Sequence, residues 1–149
     1  MRAVIQRVKR SKVTVDDKIV GEIGAGLLVL LGVTHEDDNK AADYLVEKII
    51  NLRIFSDADG KMNLSLTDVG GEMLVVSQFT LYGNTSRGRR PSFIEAASGE
   101  DALRWYKYFV AKARETVTKV ATGEFGAMMD VELVNNGPVT IILDTRNSI

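Results

Sequence analysis

The sequence predicts an α+β fold, in which a mixed β-sheet or partly closed β-barrel carries two helices packed on its outside. Segments with the composition of β-strands dominate the chain, only two segments show helical periodicity, and no linker, repeat or low-complexity stretch divides them. The chain has 149 residues, of which 45% are hydrophobic, and this is enough to bury one core. We therefore expect residues 1–149 to form a single domain.

Strand-like segments fill the amino-terminal part of the chain. Apolar and β-branched residues recur in short stretches, and the turn-forming Asp16-Asp17 and Gly24-Ala25-Gly26 separate the later ones. Such a series of strands and short turns is typical of a β-meander. The strands are predicted at residues 2–8, 12–15, 18–23 and 26–34.

Two segments have the periodicity of amphipathic helices. Asp38 has the residue type of an N-cap for the first helix, which extends to about Leu52. Ser98 and Asp101 approximate a capping box for the second helix, predicted over residues 99–120. The apolar stripes consist of Ala42, Leu45, Val46, Ile49 and Leu52 in the first helix and of Leu103, Tyr106, Val110, Ala113, Val117 and Val120 in the second.

Two of the remaining predicted strands follow the first helix, and the other two follow the second helix. A brief strand is predicted at 53–55, and a long buried strand at 72–82 leads into a loop. Two further strands, 123–134 and 139–145, are joined by the connection 135–138.

Composition excludes several kinds of site. Because the chain has no cysteine, it can form no disulfide, thiolate nucleophile or cysteine zinc site. A net charge of −1 provides no global positive field, so any contact with nucleic acid must be local. The candidate is a cluster of Arg87, Arg89 and Arg90 directly after the 72–82 strand, for which a solvated loop is the alternative interpretation.

No stretch of the sequence has the pattern of a membrane span. The longest apolar run, residues 27–31, is far shorter than the roughly 18 residues that a helical span requires. Charged residues interrupt the apolar ones near the amino terminus, which argues against a signal peptide. We expect a soluble, cytoplasmic protein.

Two separate stretches combine polar or conformationally restricted residues with strongly β-forming sequence. Ser77-Gln78-Phe79-Thr80-Leu81 ends the predicted 72–82 strand, and strand ends often carry functional groups, although the end of a core strand would look similar. Asn136-Gly137 is a hairpin-turn signal. Pro138 has no N–H and a fixed φ, so a Gly-Pro step can also present its carbonyls as a rigid wall.

These two stretches resemble the D-aminoacyl-tRNA deacylases, which carry a Ser-Gln-Phe-Thr-Leu strand and a Gly-Pro motif. The likeness extends from Met1-Arg2-Ala3-Val4-Ile5-Gln6-Arg7-Val8 to Asn135-Asn136-Gly137-Pro138-Val139-Thr140, essentially the whole chain. It implies that main-chain amides of the first stretch and the Gln78 side chain engage the 3′-terminal adenosine and the ester of aminoacyl-tRNA. The catalytic residues implied are Ser77, Gln78, Phe79 and Thr80.

The resemblance also implies a homodimer. In the family the Gly-Pro step, reported as cis, enters the partner subunit's active site and excludes L-amino acids. That role would belong to Gly137 and Pro138, with Arg7 helping to hold their loop. Without the resemblance, Arg7 would be interpreted as a charge on a strand surface. The family also has a pocket-lining stretch similar to Phe-Gly-Ala-x-Met. It implies pocket roles for Phe125, Ala127 and Met129, for which an ordinary strand core is the alternative.

Neither a metal nor a cofactor is expected. Asp57-Ala58-Asp59-Gly60 begins like a calcium loop, but Met62 stands where glycine is needed and Asp68 where glutamate is needed. The single histidine, His35, lies in a predicted loop and does not indicate a Ser-His-Asp triad. An enzyme-supplied nucleophile would have to be a serine or threonine, which is weak without an adjacent base.

We therefore expect the protein to hydrolyse D-aminoacyl-tRNA and glycyl-tRNA mischarged on tRNA(Ala). The vicinal ribose hydroxyl of the terminal adenosine would assist water, while the Phe79 and Thr80 amides support the oxyanion. One alternative is an esterase that uses Thr80 as nucleophile. The others are a non-catalytic RNA-binding module that uses the three arginines, and an editing domain that works only beside a synthetase.

Overall fold

One long amino-terminal strand organises the fold. The computed structural model describes residues 1–147, which contain eight strands, two α-helices and two short 3₁₀ turns. The strands are β1 (Arg2–Val15), β2 (Lys18–Ile23), β3 (Gly26–Gly32), β4 (Phe55–Ser56), β5 (Met62–Leu64), β6 (Glu72–Ser77), β7 (Val120–Thr122) and β8 (Asp130–Asp144). The helices are α1 (Asn39–Asn51) and α2 (Gly99–Arg114), and the 3₁₀ turns are Phe79–Tyr82 and Thr145–Asn147.

Strand β1 has partners on both of its edges. Its first half is antiparallel to β3 and its second half is antiparallel to β2. On the other edge, β8 runs antiparallel to nearly the whole of β1, from the pair Arg2↔Asp144 to the pair Thr14↔Asp130. The two strands predicted at 2–8 and 12–15 are therefore one, because this partner continues the ladder between them. The predicted meander is wrong, because β2 and β3 both pair with β1.

The sheet curls until it is nearly closed. Strands β3, β6 and β7 are parallel neighbours, whereas β1 is antiparallel to its partners, so the sheet is mixed. Strand β2 then approaches β7 so closely that a Cβ on Gly21 would lie 2.1 Å from the Thr122 carbonyl oxygen. This glycine permits the backbone contact that brings the two ends of the sheet together. The predicted α+β class, with a mixed, barrel-like sheet and two outer helices, is confirmed.

Two apolar cores lie on the two faces of the curled sheet. The larger one fills the space between the sheet and the helices, and the smaller one fills the barrel interior. In β3, Leu27, Val29 and Leu31 belong to the larger core, whereas Leu28 belongs to the smaller one. This alternation follows from the two-residue period of a strand and explains why β3 has no polar face.

Both helices begin at their predicted caps. The Asp38 side chain accepts from the Ala41 amide at 2.9 Å, and the Ser98 hydroxyl accepts from the Asp101 amide at 3.3 Å. Helix α2 ends at Arg114 and not at residue 120. Val120 instead starts β7 opposite Met73, so its burial reflects the sheet and not the helical stripe.

The remaining corrections concern segment boundaries. The predicted 53–55 strand begins at Phe55 and forms the β4–β5 hairpin. The segment predicted as a strand at 123–134 contains a loop at 123–129, because Gly126 at φ +80° turns the chain before β8 begins. The two strands predicted on either side of 135–138 are parts of the single strand β8. Within residues 1–147, no helix has both the length and the apolar character needed to cross a bilayer.

Candidate active site

The Ser77–Leu81 stretch is where the chain leaves the sheet. Strand β6 ends at Ser77, opposite Leu31 of β3, and a 3₁₀ turn begins at Phe79. The predicted strand over 72–82 is therefore too long by five residues. The physical reason is that β3, the neighbour with which residues 78–82 would have to pair, ends at Gly32. The turn packs against this strand end instead, so closely that a Cβ on Gly32 would lie 3.2 Å from the Gln78 carbonyl oxygen.

The turn leaves two main-chain amides free. The Gln78 amide donates to the Leu31 carbonyl at 2.8 Å, and the Leu81 amide donates to the Gln78 carbonyl at 3.2 Å. The intervening amides of Phe79 and Thr80 have no acceptor among residues 1–147. Free amides are expected at the start of a helical turn, and two adjacent ones can bind a negatively charged oxygen.

The side chains of the turn form a small polar group beside an exposed ring. The Gln78 side-chain amide donates to the Thr80 hydroxyl. Ser77 is half-buried, and Thr80 is exposed. The Phe79 ring is 55% exposed and meets the Phe93 ring edge to face at 5.1 Å. The two rings therefore form an apolar ledge next to the free amides.

A cavity of about 610 Å³ opens beside this turn. It brings together three of the four predicted catalytic residues, Ser77, Gln78 and Phe79, although Thr80 does not line it. The predicted pocket residues Phe125, Ala127 and Met129 also line it. The loop at 123–129 thus faces the 3₁₀ turn across the cavity, which the interpretation of this segment as a strand had not predicted.

Packing fixes the far wall of the cavity. The Phe125 ring lies 5.6 Å from the ring of Tyr106, whose hydroxyl donates to the Val75 carbonyl at 2.9 Å. Burial raises the pKa of Tyr106 to about 12, so this hydroxyl remains a donor at neutral pH. Met129 packs against the barrel core, whereas its neighbour Met128 is 92% exposed at the rim.

A further part of the cavity wall, made mostly of small residues, was missed by the sequence reasoning. Ala96 contributes to it beside the Phe93 ring, and the start of α2 contributes Gly99 and Ala102. The sequence feature that could have indicated this wall is the run Ala96-Ala97-Ser98-Gly99. Its small side chains leave space for a cavity at the start of the helix.

The Gly137-Pro138 step lies in a bulge of β8. Residues 136–139, called the Gly-Pro bulge below, stand between the pairs Val8↔Asn135 and Gln6↔Thr140, opposite Arg7 alone. The peptide bond between Gly137 and Pro138 is cis. Both residues are exposed, and neither lines the cavity of its own chain.

Side chains hold this bulge. The buried Arg7 guanidinium donates to the Asn136 carbonyl at 2.8 Å and to the Ile54 carbonyl at 2.5 Å. The Asn135 side-chain oxygen accepts from the Val139 amide at 2.8 Å. Arg7 is therefore buried and hydrogen-bonded to the bulge, and its interpretation as a strand-surface charge is wrong.

The predicted basic cluster lies on an exposed loop beside the cavity. Arg87, Arg89 and Arg90 belong to the loop that is closed by the bridge Asn84↔Ser92. Ser92 leads directly to Phe93, which lines the cavity. The loop is thus continuous with the cavity wall, and its three guanidinium groups are accessible to solvent.

The other residues considered as catalytic or metal-binding groups do not line this cavity. His35 Nε2 lies 2.7 Å from the Ile94 carbonyl oxygen, and His35 does not line the cavity. The Asp57 carboxylate accepts from the amides of Asp59 and Lys61 within the β4–β5 hairpin. Among residues 1–147, no group of three or more His, Cys, Asp and Glu side chains has a metal-binding arrangement.

Comparison with known proteins identifies close relatives. A D-aminoacyl-tRNA deacylase of Clostridioides difficile is 60% identical over 148 residues, which cover 99% of both chains. One of Dehalococcoides mccartyi is 61% identical over 147 residues, covering 99% of this chain and 96% of the relative.

Solved structures share the fold. The c-Myc DNA unwinding element binding protein superposes with a TM-score of 0.92 at 43% identity, covering 97% of this chain and 98% of that chain. A probable eukaryotic D-amino acid tRNA deacylase superposes with a TM-score of 0.80 at 18% identity, which shows likeness of fold alone. The family model described as D-Tyr-tRNA(Tyr) deacylase matches residues 4–144. The chain therefore belongs to the D-Tyr-tRNA(Tyr) deacylase family.

Proposed function

We propose that this protein hydrolyses the ester bond between a D-amino acid and the 3′ end of tRNA, and that it acts likewise on glycyl-tRNA mischarged on tRNA(Ala). The observation that carries the proposal is the pair of amides, on Phe79 and Thr80, that have no acceptor among residues 1–147 and belong to a turn whose first residue lines a cavity of about 610 Å³. The identity to deacylases over the whole chain supports the substrate class. The activity would remove D-amino acids from translation in the cytoplasm.

In the proposed mechanism, positioning and main-chain electrostatics supply the rate. The vicinal ribose hydroxyl of the terminal adenosine assists the attacking water, and the two free amides stabilise the oxyanion of the tetrahedral intermediate. An aminoacyl ester is intrinsically labile, so modest stabilisation of this intermediate suffices. Gln78 would orient the substrate, and Ser77 would leave space for it.

The Thr80 hydroxyl is less suited to act as nucleophile. A threonine nucleophile needs a base to take its proton. Among the described residues, the hydrogen-bond partner of Thr80 Oγ1 is the Gln78 side-chain amide. This amide donates to the hydroxyl, so it cannot act as that base. His35 lies outside the cavity lining and is bonded to Ile94. These contacts favour the substrate-assisted mechanism over a covalent intermediate on Thr80.

We propose that chiral selection comes from a second copy of the chain. Enantiomers carry identical groups, so a rigid wall is needed where the L side chain would point. The exposed Gly-Pro bulge, fixed by Arg7, has this character but does not line its own cavity. In the proposed homodimer, Gly137 and Pro138 of each subunit enter the cavity of the other.

The exposed surface is compatible with such a dimer. In the described part of the chain, β8 pairs only with β1, so its outer edge is available for an intermolecular contact. Ile142 on this strand is 68% exposed, and Met128 and Phe79 are exposed at the cavity rim. Light scattering should report about twice the 16.4 kDa chain mass, and a monomer with full activity would contradict the proposal.

The three arginines of the exposed loop are proposed to contact tRNA phosphates. Their loop adjoins Phe93 at the cavity wall, and the net charge of −1 means that attraction must come from local groups. Replacing Arg87, Arg89 and Arg90 together by glutamine should raise KM and weaken its dependence on salt.

The deciding experiment compares D-Tyr-tRNA with L-Tyr-tRNA, with glycyl-tRNA(Ala) as a third substrate and buffer as the control for spontaneous hydrolysis. We expect kcat/KM for the D-form to exceed that for the L-form by about 100-fold or more. Equal release from both enantiomers, or from neither, would contradict the proposed function. Salt-sensitive binding of tRNA without release would indicate an RNA-binding module instead.

A further inference from the structure

The 3₁₀ turn Phe79–Tyr82 is also held by a side-chain hydrogen bond from β1. Arg2, at the start of β1, donates from Nη1 to the Leu81 carbonyl at 2.6 Å. The same guanidinium donates to the Asp144 carboxylate at 2.7 and 3.0 Å. Arg2 therefore links the turn to the last residue of β8.

An aromatic ring completes this contact. The Arg2 guanidinium carbon lies 4.9 Å from the centroid of the Tyr82 ring, and that of Arg146 lies 5.3 Å from it. Both distances are within the range of a cation–π interaction. Asp144 accepts from the side chains of both arginines, so it fixes the two cations beside the ring.

Tyr82 contributes to this contact through the packing and the π face of its ring, and not through its hydroxyl. Tyr82 is only 2% exposed, and its hydroxyl has no hydrogen-bond partner among residues 1–147. Burial, with further contributions from Asp37 and Asp144, raises the pKa of this hydroxyl, so it is neutral at physiological pH.

These contacts determine how rigidly the free amides are presented. Before the turn, the Gln78 amide donates a hydrogen bond to the Leu31 carbonyl. Near its end, the Arg2 side chain donates a hydrogen bond to the Leu81 carbonyl. The Phe79 and Thr80 amides lie between these two points. A displacement of about 1 Å in a catalytic group can cost about 100-fold in rate. Lysine could not replace Arg2 fully, because it lacks the planar fork that serves two acceptors at once.

We propose that Arg2 is a positioning residue for the deacylation, which keeps the Phe79 and Thr80 amides in place beside the cavity by holding the Leu81 carbonyl. The inference rests on the proposed function for its kinetic consequence. The alternative is that Arg2 and Asp144 only fasten the start of β1 to the end of β8. That role would affect stability but not the orientation of the turn.

The test compares Arg2→Met and Arg2→Lys with the control Arg114→Met. Arg114 also donates to a main-chain carbonyl, that of Val120 at 3.2 Å, but it lies at the other end of α2 from the cavity-lining Gly99. With D-Tyr-tRNA, we expect Arg2→Met to lower kcat by about 10-fold to 100-fold while KM changes less than about threefold. Arg2→Lys should recover part of kcat, and Arg114→Met should match wild type.

Amide hydrogen exchange of the peptide covering residues 77–83 provides a readout that does not depend on turnover. Exchange should accelerate in Arg2→Met and remain unchanged in Arg114→Met, at a temperature where each variant is folded. Wild-type kcat in Arg2→Met, or a change in KM alone, would overturn the inference. If wild-type protein releases no D-tyrosine, the proposed function fails, and unchanged exchange at 77–83 would then overturn the positioning role separately.

Discussion

The Phe79–Tyr82 turn and the Gly-Pro bulge both carry predicted functional groups, but they are held in different ways. The turn packs on the sheet, where the Gln78 amide donates to the Leu31 carbonyl and Gly32 approaches closely, and the Arg2 side chain adds one hydrogen bond to the Leu81 carbonyl. The bulge projects from β8 and is held by the side chains of Arg7 and Asn135. The turn also lines its own cavity, whereas the bulge does not.

This difference suggests that the two segments have different roles and depend on different groups. A segment fixed by main-chain contacts to a sheet can present amides to substrate with little dependence on its own side chains. A bulge tethered by one buried guanidinium should depend strongly on that group. Because the bulge does not line its own cavity, the proposed function places it in the cavity of a second chain. The predictions below test each part of this comparison.

The largest effect is expected from Arg7→Met. The change leaves the Asn136 and Ile54 carbonyls without their donor, which should cost about 2–4 kcal/mol of unfolding free energy. Deacylation of D-Tyr-tRNA should fall about 100-fold, because in the proposed dimer the bulge also forms a wall of the partner's cavity, and a loosened wall would no longer position the substrate. The measurements are thermal melting and initial rates well below the melting temperature.

Arg10→Met is the matched control for this change, because Arg10 lies on the same strand and is exposed. Its melting temperature should equal that of wild type. If Arg7→Met loses activity only in proportion to the fraction of molecules unfolded, the bulge has no role beyond structure.

Mixed dimers test whether the two segments act across subunits. One variant has a filled cavity, Ser77→Phe, and the other has a loosened bulge, Arg7→Met. Each homodimer should be inactive, but a mixed dimer joins one intact cavity to one intact bulge. Random exchange of subunits should therefore restore about a quarter of wild-type activity. No recovery, with mixed dimers demonstrated by mass spectrometry, would mean that both segments act within one chain.

The sequence predicted these two segments better than it predicted their conformations. Polar residues at the end of a buried strand indicated Ser77–Leu81, but nothing local showed that β3 would end at Gly32 and let the chain turn. The tethering of the bulge by Arg7 joins residues 129 positions apart, so spacing could not reveal it. That role was suggested by the family resemblance, and it stays a prediction.

Caps were predicted correctly because their causes are local, as Asp38 and Ser98 show. The long strands were divided wrongly because a partner far along the chain decides where a strand continues. The cavity wall from Phe93 to Ala102 was missed for the same reason, since it becomes a wall only when the 123–129 loop folds over it.

A smaller effect should distinguish the side chains of the turn. Gln78→Ala should lower kcat/KM by about 10-fold, because the amide orients the substrate. Thr80→Ala should stay within about threefold of wild type, because the main-chain amide remains. A loss of about 1,000-fold in Thr80→Ala, or an acyl group trapped on Thr80, would instead favour a covalent nucleophile.

The smallest effect should come from Tyr82→Phe, which removes the hydroxyl of the turn's last residue, a group with no hydrogen-bond partner among residues 1–147. Because a buried hydroxyl without a partner is unfavourable, the unfolding free energy should be unchanged or rise by about 1 kcal/mol. Tyr106→Phe is the matched control, since that buried hydroxyl donates to the Val75 carbonyl at 2.9 Å, and its loss should cost about 1 kcal/mol. Denaturant unfolding measures both changes. If the two variants lose the same stability, the Tyr82 hydroxyl has a polar partner such as a bound water. The turn would then depend on a hydrogen bond from one of its own side chains, in addition to the one from Arg2 to the Leu81 carbonyl, and would no longer differ from the bulge in that respect.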